Sequence, residues 1–338
     1  MSQAVATVIV MSAFLHRTRE LREAAEAALA PAATRSRDSR GRRRPEDPDP
    51  HRTCFERDRD RILHSKAFRR LKRKTQVFVE PTGDHYVTRL THTLQVTQIA
   101  RALAAGLGLN EPLAEAIALG HDVGHPPFGH TGEEALSPYV EGGWHHAAQS
   151  VRIYEVLEDA NLTWEVRDGI RAHSWKVTPP PATAEGACVR FADRIAYLSH
   201  DALDAVRAGV LAERDLPAAA RAHLGRPGSE WVGTMVRSVI AHSVEAGRLA
   251  MDPRTAGTMD ELREFMFVRV YHAPRTREQR EAVSTVVRDL VEHHLARPDA
   301  IPASYRDAAS DPLTQTVDYV AGMTDRYALA LHARLVNR

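Results

Sequence analysis

The chain has 338 residues, 43% of them hydrophobic and 26% charged, with a formal net charge of +1, an ordinary composition with ample length to bury a core in one large or two small domains. Its two cysteines, Cys54 and Cys188, lie far apart, which argues against a disulfide framework or a thiolate metal cluster and fits a reducing cytoplasm. The opening MSQAVATVIVMSAFL carries no positive n-region and no clear cleavage pattern, and neither it nor any later stretch is long and apolar enough to span a bilayer, so a soluble protein without a membrane partner is expected.

The small net charge conceals an asymmetry. From His16 to Lys74 there are 19 Lys and Arg against 10 Asp and Glu, a balance of +9, and the remainder carries 26 against 34, or −8. Within this basic region the Pro, Gly and Ser content of Thr34 to Arg52 argues against packed structure and for a solvated, partly disordered arm over residues 1–54. The competing reading is an anion-binding segment that meets nucleotide phosphates or nucleic acid.

The chain beyond is read as almost wholly helical. Arg19 to Leu29 is rich in Ala and Glu, and Arg57 to Leu71 sets Ile62, Leu63, Phe68 and Leu71 against arginines. His92 to Leu107 repeats Val96, Ile99, Ala100, Leu103 and Leu107. Pro112 suits a first helical turn, and Leu113, Ala116, Ile117 and Gly120 follow before His121; Pro126 and Pro127 must stop that helix. Ala147 to Leu157, Thr163 to His173, Val189 to Ala208, Glu230 to Ala246, Met259 to Tyr271, Arg277 to Ala296 and Leu313 to Val336 have the same character. Short strands are expected only at Gln76 to Val79 and near Tyr86. The fold class is therefore all-α, an irregular helical bundle with a core over 55–208 and a helical extension over 209–338.

The most telling segment is HDVGHPPFGHTGEEAL, His121 to Leu136, where adjacent His121 and Asp122 close an apolar helix. His92 upstream and Asp193 downstream complete a set of two imidazoles and two carboxylates. Such mixed nitrogen and oxygen donors favour a divalent Mg, Mn, Fe, Co or Ni ion over a structural zinc. Each residue also has a plainer reading: His92 as a surface or capping side chain, Asp193 as a solvated carboxylate paired with Arg190 or Arg194. Successive helical residues diverge by about 100°, so His121 and Asp122 can meet one ion only at a helix end, which Gly124 and the two prolines provide. Asp193 is flanked by Phe191, Ile195 and Leu198, and an acid on an apolar face needs a partner.

Six ordered segments, FERDRDRILHSKAFRRLKRKTQVF, GDHYVTRLTHTLQVTQIAR, AIALGHDVGHPPFGH, GGWHHAAQS, FADRIAYLSHD and DYVAGMTDRYAL, resemble the deoxyguanosinetriphosphate triphosphohydrolase-like dNTPases of the HD-domain superfamily. The likeness runs from about Ser36 to the C-terminus. It implies a metal-dependent enzyme of deoxynucleotide metabolism that hydrolyses a dNTP at the α-phosphorus to deoxynucleoside and tripolyphosphate, with His92, His121, Asp122 and Asp193 as ligands. It further implies that His130 and Glu133 form a catalytic pair, a spacing at which a carboxylate orients an imidazole within one helical turn. His130 would either activate the attacking water or protonate the departing 5′ oxygen. By the same likeness Arg89, His125, His146 and Arg194 contact phosphates, and Gln76, Tyr197 and Asp201 recognise the deoxyribose, Tyr197 disfavouring an added ribose hydroxyl. Homo-oligomerisation and a second, allosteric dNTP are also implied, and the basic FRRLKRK segment is a candidate for that second site or for an interface. The rivals are another HD phosphohydrolase, such as a phosphodiesterase or a (p)ppGpp hydrolase, and a nucleotide- or nucleic-acid-binding regulator with a vestigial metal site.

Overall fold

A computed structural model describes residues 14–76, 87–271, 277–307 and 309–336. Among these residues the protein is all-α, with isolated antiparallel bridges, Thr75 to Thr88 and Arg42 to Thr163, in place of strands. The helices are α1 (Arg19–Ala25), α2 (Cys54–His64), α3 (Lys66–Arg70), α4 (Arg89–Gly106), α5 (Glu111–Gly120), α6 (Gly129–Leu136), α7 (His146–Arg152), α8 (Trp164–Ala172), α9 (Ala184–Arg207), α10 (Ala218–His223), α11 (Ser229–Ala246), α12 (Pro253–Met266), α13 (Arg277–Leu295), α14 (Pro312–Ala321) and α15 (Asp325–Val336). None is long and apolar enough to cross a membrane.

Local chemistry sets these boundaries. Thr88 and Thr91 form a reciprocal cap that starts α4 one turn before the His92 expected to open it, and a buried stripe of His92, Val96, Ile99, Ala100 and Leu103 then follows helical spacing. Asn110 caps α5, with Pro112 in its first turn. This helix is buried on nearly every side, through Leu113, Ala114, Ala116, Ile117, Ala118 and Leu119, because α2, α4, α8 and α9 surround it. Burial on all faces identifies α5 as the central element of the bundle.

Several expected helices prove divided. The stretch Arg57 to Leu71 breaks at Ser65, whose hydroxyl accepts the Phe68 N–H to cap α3. Leu313 to Val336 breaks at Gly322 to Thr324, giving α14 and α15. Ala147 to Leu157 and Met259 to Tyr271 each end in a π-helical turn, Ile153–Leu157 and Phe267–Tyr271. The expected strand beyond Gln76 and the residues around Tyr86 lie outside the described residues.

The Arg-rich segment is solvated only in part. Thr34 to Arg42 lies against the core because buried carboxylates catch it, whereas Arg43 to Arg52 stays mostly exposed. Glu185 accepts the Thr34 N–H and hydroxyl, Glu165 accepts the Arg40 N–H and the Ser39 hydroxyl, and Asp58 accepts from Arg42 and Thr163. Other arginines pair nearby, Arg52 with Asp49 and Asp60, and Arg57 and Arg61 with Glu46. Composition argued for exposure because it registers the charges of the arm and not the acids waiting on the body.

Among the described residues two apolar clusters form the interior. The larger joins α2, α4, α5, α8, α9, α11 and α12, from Phe55 and Ile62 through Ile117 and Ile195 to Trp231 and Leu262. The smaller gathers Phe128, Ala135 and Leu136 with Val287 and Leu290 of α13, Val320 of α14 and Ala328 of α15. Since α6 rests on the second cluster while α4, α5 and α9 belong to the first, the segment His121 to Leu136 bridges the two.

Candidate active site

A cleft of about 280 Å³ opens where the clusters meet. All the residues singled out from the sequence line it except His121, which is wholly buried behind its wall. The chain thus gathers Gln76, Arg89, His92, Asp122, His125, His130, Glu133, His146, Asp193, Arg194, Tyr197 and Asp201 around one space.

The inner end is a nest of His and Asp. His92 on α4 and Asp193 on α9 meet at 3.1 Å, Nε2 to Oδ1. His121 caps the C-terminus of α5 and donates its Nδ1–H to the Ala118 carbonyl at 2.6 Å. That bond leaves Nε2 as a bare lone pair, buried and without a hydrogen-bond partner among the described residues, 3.6 Å from Asp122 Oδ1 and 3.9 Å from Asp193 Oδ1. A lone pair facing two carboxylate oxygens is repelled unless a cation lies between them. Donor atoms of His92, His121 and Asp193 all lie within 4.8 Å of one another, and this nitrogen and oxygen set suits a divalent ion. Burial alone would raise the Asp193 and Asp122 carboxyls, yet His92 and His121 beside Asp193, and His125, His121 and Arg89 beside Asp122, hold both well below the usual range. Arg89, buried at 2% exposure, donates to Asp122 Oδ2 at 2.8 Å and aims that carboxylate.

Toward the mouth, Glu133 on α6 serves several imidazoles at once. Its Oε2 accepts from His130 Nδ1 at 2.9 Å, and its Oε1 accepts the His146 Nδ1–H at 2.7 Å and the His146 backbone N–H at 3.1 Å. The His130 to Glu133 pairing matches the expectation from their spacing; the clasp on His146 was not expected. His130 has a 69% exposed side chain, whereas His146 is mostly covered and stacks on His125 with centroids 3.9 Å apart.

Sequence reasoning missed His173. It follows the last residue of α8 and donates Nδ1–H to the Ile170 carbonyl at 2.7 Å, the arrangement His121 adopts at the end of α5. Its Nε2, a lone pair by the same logic, lies 3.1 Å from His146 Nε2. A hydrogen bond there makes His146 the donor at both nitrogens, an imidazolium between the Glu133 carboxylate and a neutral imidazole. Burial, then the neighbouring His121 and His146, push His173 down to about 3. Burial opposes the charge on His146, but the Glu133 carboxylate outweighs it and leaves His146 raised. A histidine ending a helix after an apolar face was the available signal in IRAHSW.

The loop between Asp122 and α6 owes its path to close backbone contact. Ser150 donates its hydroxyl to the His121 carbonyl at 2.8 Å and accepts the Gly124 N–H at 2.9 Å. A Cβ on Gly124 would fall 2.3 Å from the His146 carbonyl oxygen, so only glycine lets the loop and α7 approach this closely.

Gln76, Arg194, Tyr197 and Asp201 complete the lining of the cleft. Gln76 presents a buried Oε1 with no partner among the described residues. Asp201 on α9 is pushed up to about 7 by burial, and Tyr271 donates to its Oδ2 at 2.7 Å. Tyr197 lines the same cleft, and burial raises its hydroxyl to about 12. Arg194 lies over the Trp175 ring at 4.2 Å and reaches Asp260 at 3.3 Å. Trp175, Lys176, Arg263 and Tyr271 are cleft residues that the motifs did not point to.

Residues 89–198 match the HD domain model, and residues 249–334 match that of the phosphohydrolase-associated domain. A deoxyguanosinetriphosphate triphosphohydrolase-like protein of Caldanaerobacter subterraneus subsp. tengcongensis is 48% identical over 320 residues, covering 93% of this chain and 94% of the relative. A protein of the same description from Clostridium perfringens is 44% identical over 305 residues, 86% of this chain and 89% of its own. One from Desulfatibacillum aliphaticivorans is 44% identical over 332 residues, covering 91% and 94%.

Proposed function

The chain belongs to the deoxyguanosinetriphosphate triphosphohydrolase-like family of HD-domain proteins, and from that membership we propose that it hydrolyses 2′-deoxynucleoside 5′-triphosphates to deoxynucleoside and tripolyphosphate. The observation that carries the reading is the unpartnered His121 Nε2 facing two carboxylates at the end of a cleft lined by histidine and arginine. His92, His121, Asp122 and Asp193 would hold a divalent ion of the Mg, Mn, Fe, Co or Ni kind. When bound, it supplies Lewis-acid stabilisation of charge on a phosphoryl oxygen.

The remaining steps fall to the protein's own groups. Arg89, Arg194 and the His146 imidazolium offset phosphate charge, and His125 is stacked on His146. Because Glu133 accepts from His130 Nδ1, Nε2 is the nitrogen left to exchange a proton. Water adds its oxygen to the α-phosphorus, the bond from phosphorus to the 5′ oxygen breaks, and one water proton ends on that oxygen. His130 serves one side of this transfer, held in orientation by Glu133. Gln76, Tyr197 and Asp201 would take the deoxyribose, with Tyr197 leaving no room for a 2′-hydroxyl. A homo-oligomer in the cytoplasm with a second dNTP as effector belongs to the same reading.

Product analysis tests it. Deoxynucleoside and tripolyphosphate in equal amounts from dGTP or another dNTP support the reading. Orthophosphate or pyrophosphate would mark a different hydrolase, and no turnover together with saturable polynucleotide binding would mark a regulator.

A further inference from the structure

Asp325, the first residue of α15, lies far in sequence from every residue assigned above and is only 3% exposed. Both its carboxylate oxygens are engaged by backbone amides of site segments. Oδ2 accepts the Thr75 N–H at 2.9 Å, and Oδ1 accepts the Phe128 N–H at 3.0 Å. Thr75 immediately precedes Gln76, and Phe128 stands two residues before His130.

Phe128 needs such a hold. It adopts a left-handed conformation, φ 64° and ψ 23°, at the N-cap of α6, without a side-chain cap of its own. A bulky residue there is strained and persists only when its surroundings fix it. A second tie joins the same three segments: the buried Lys74 ammonium donates to the His125 carbonyl and, at 3.1 Å, to the Ala321 carbonyl at the end of α14. Lys74 and Asp325 therefore clamp the Gln76 segment, the loop leading to His130 and the α14–α15 junction at one buried node.

We propose that Asp325 is a positioning residue, which holds Gln76 and His130 in register across the cleft by accepting one amide from each segment. The proposal rests on the assignment of His130 as the acid–base group. It gives the phosphohydrolase-associated region a part in setting the geometry of the reaction.

Asp325→Asn tests it in the full chain. The amide keeps the shape but offers one oxygen and one NH2 group, so one of the two backbone donors loses its acceptor. Hydrogen exchange at Thr75 or Phe128 should accelerate, metal occupancy should match the wild type, and kcat should fall on the order of 10²-fold, as expected when a reacting group is misplaced by about 1 Å. The ratio of dATP to ATP hydrolysis should narrow as Gln76 shifts. In a His130→Ala background the same change should add little further loss of kcat, because it acts through His130. Wild-type kcat despite faster exchange, or losses that multiply in the double variant, would overturn the proposal. Wild-type turnover by His130→Ala would instead remove the acid–base assignment. Asp325 would then be decided by the dATP to ATP ratio, which reports Gln76 alone, and an unchanged ratio would overturn it. If the Asn variant does not fold, Asp325→Glu keeps both acceptors one methylene further out; protected amides with reduced kcat support the proposal, and protected amides with full kcat reject it.

Discussion

Gly124→Ala tests the site geometry without deleting any reacting group. The added Cβ would lie 2.3 Å from the His146 carbonyl oxygen, 2.3 Å from the Ser150 nitrogen and 2.8 Å from the Gln149 carbonyl carbon. All three are backbone atoms, so no side chain can swing aside. Ordinary contact begins near 3.4 Å, which obliges the loop and α7 to part by roughly 1 Å, at a stability cost of about 1–3 kcal/mol typical of overpacking. The short helix α7 should yield, because the loop continues from α5 at the centre of the bundle. The displacement then falls on the 2.7 Å contact of His146 with Glu133 and on the His125 to His146 stack, while His92 and Asp193 stay on α4 and α9. Turnover should drop on the order of 10²-fold, with metal content near that of the wild type. Tripolyphosphate release from dGTP, elemental analysis and a melting curve measure the three quantities. A folded, metal-loaded variant with wild-type kcat would show that the approach of loop and α7 does not set the catalytic geometry.

Four further outcomes follow from the same site. His121→Ala and Asp122→Ala should lose bound metal and turnover together; full occupancy at normal rate would end the metal reading. His130→Ala and Glu133→Ala should keep metal and each lose on the order of 10²–10⁴ in kcat, with the double variant no slower than the worse single one; multiplied losses would separate the pair. Tyr197→Ala should raise ATP hydrolysis relative to dATP, and equal rates for both nucleotides in the wild type would already remove the sugar assignment. Asp201, raised to about 7 by burial, binds a proton in the native state that the unfolded chain has released above about pH 4. The stability this contributes is full below that pH and is lost as pH rises through about 7, so the wild type should weaken relative to Asp201→Asn across the window by up to roughly 4 kcal/mol. Melting curves of the two proteins that stay parallel from pH 4 to 8 would show that Asp201 does not carry the shift.

The helical class was legible because apolar spacing and caps are local. Asn110 with Pro112, or Thr88 with Thr91, announce helix starts whatever lies around them. The break at Ser65 was not legible, since a serine inside a helical pattern becomes a cap only once the chain turns. The packed part of the Arg-rich arm was missed for the complementary reason. Its partners Glu165 and Glu185 stand more than a hundred residues away, and composition carries no record of such pairing.

In the site, the residues visible in advance were those whose chemistry sits in a short stretch: His121 beside Asp122, His130 three before Glu133. What stayed hidden is the work of long-range closure. Glu133 reads as the partner of one imidazole, yet the fold brings His146 to its other oxygen and His173 to the far side of His146. That chain of contacts fixes which nitrogen carries each proton, and so holds an imidazolium between a carboxylate and a neutral imidazole. The same principle explains the buried acids of the C-terminal helices. Asp318 grips Arg152 and Gln149 of α7, and Asp325 grips the amides of Thr75 and Phe128. Neither acid touches the reacting centre, and in DYVAGMTDRYAL neither differs in type from a solvated helix carboxylate. Only the fold distinguishes them, because burial leaves a carboxylate stable only where donors surround it, and here those donors belong to the segments that carry the site.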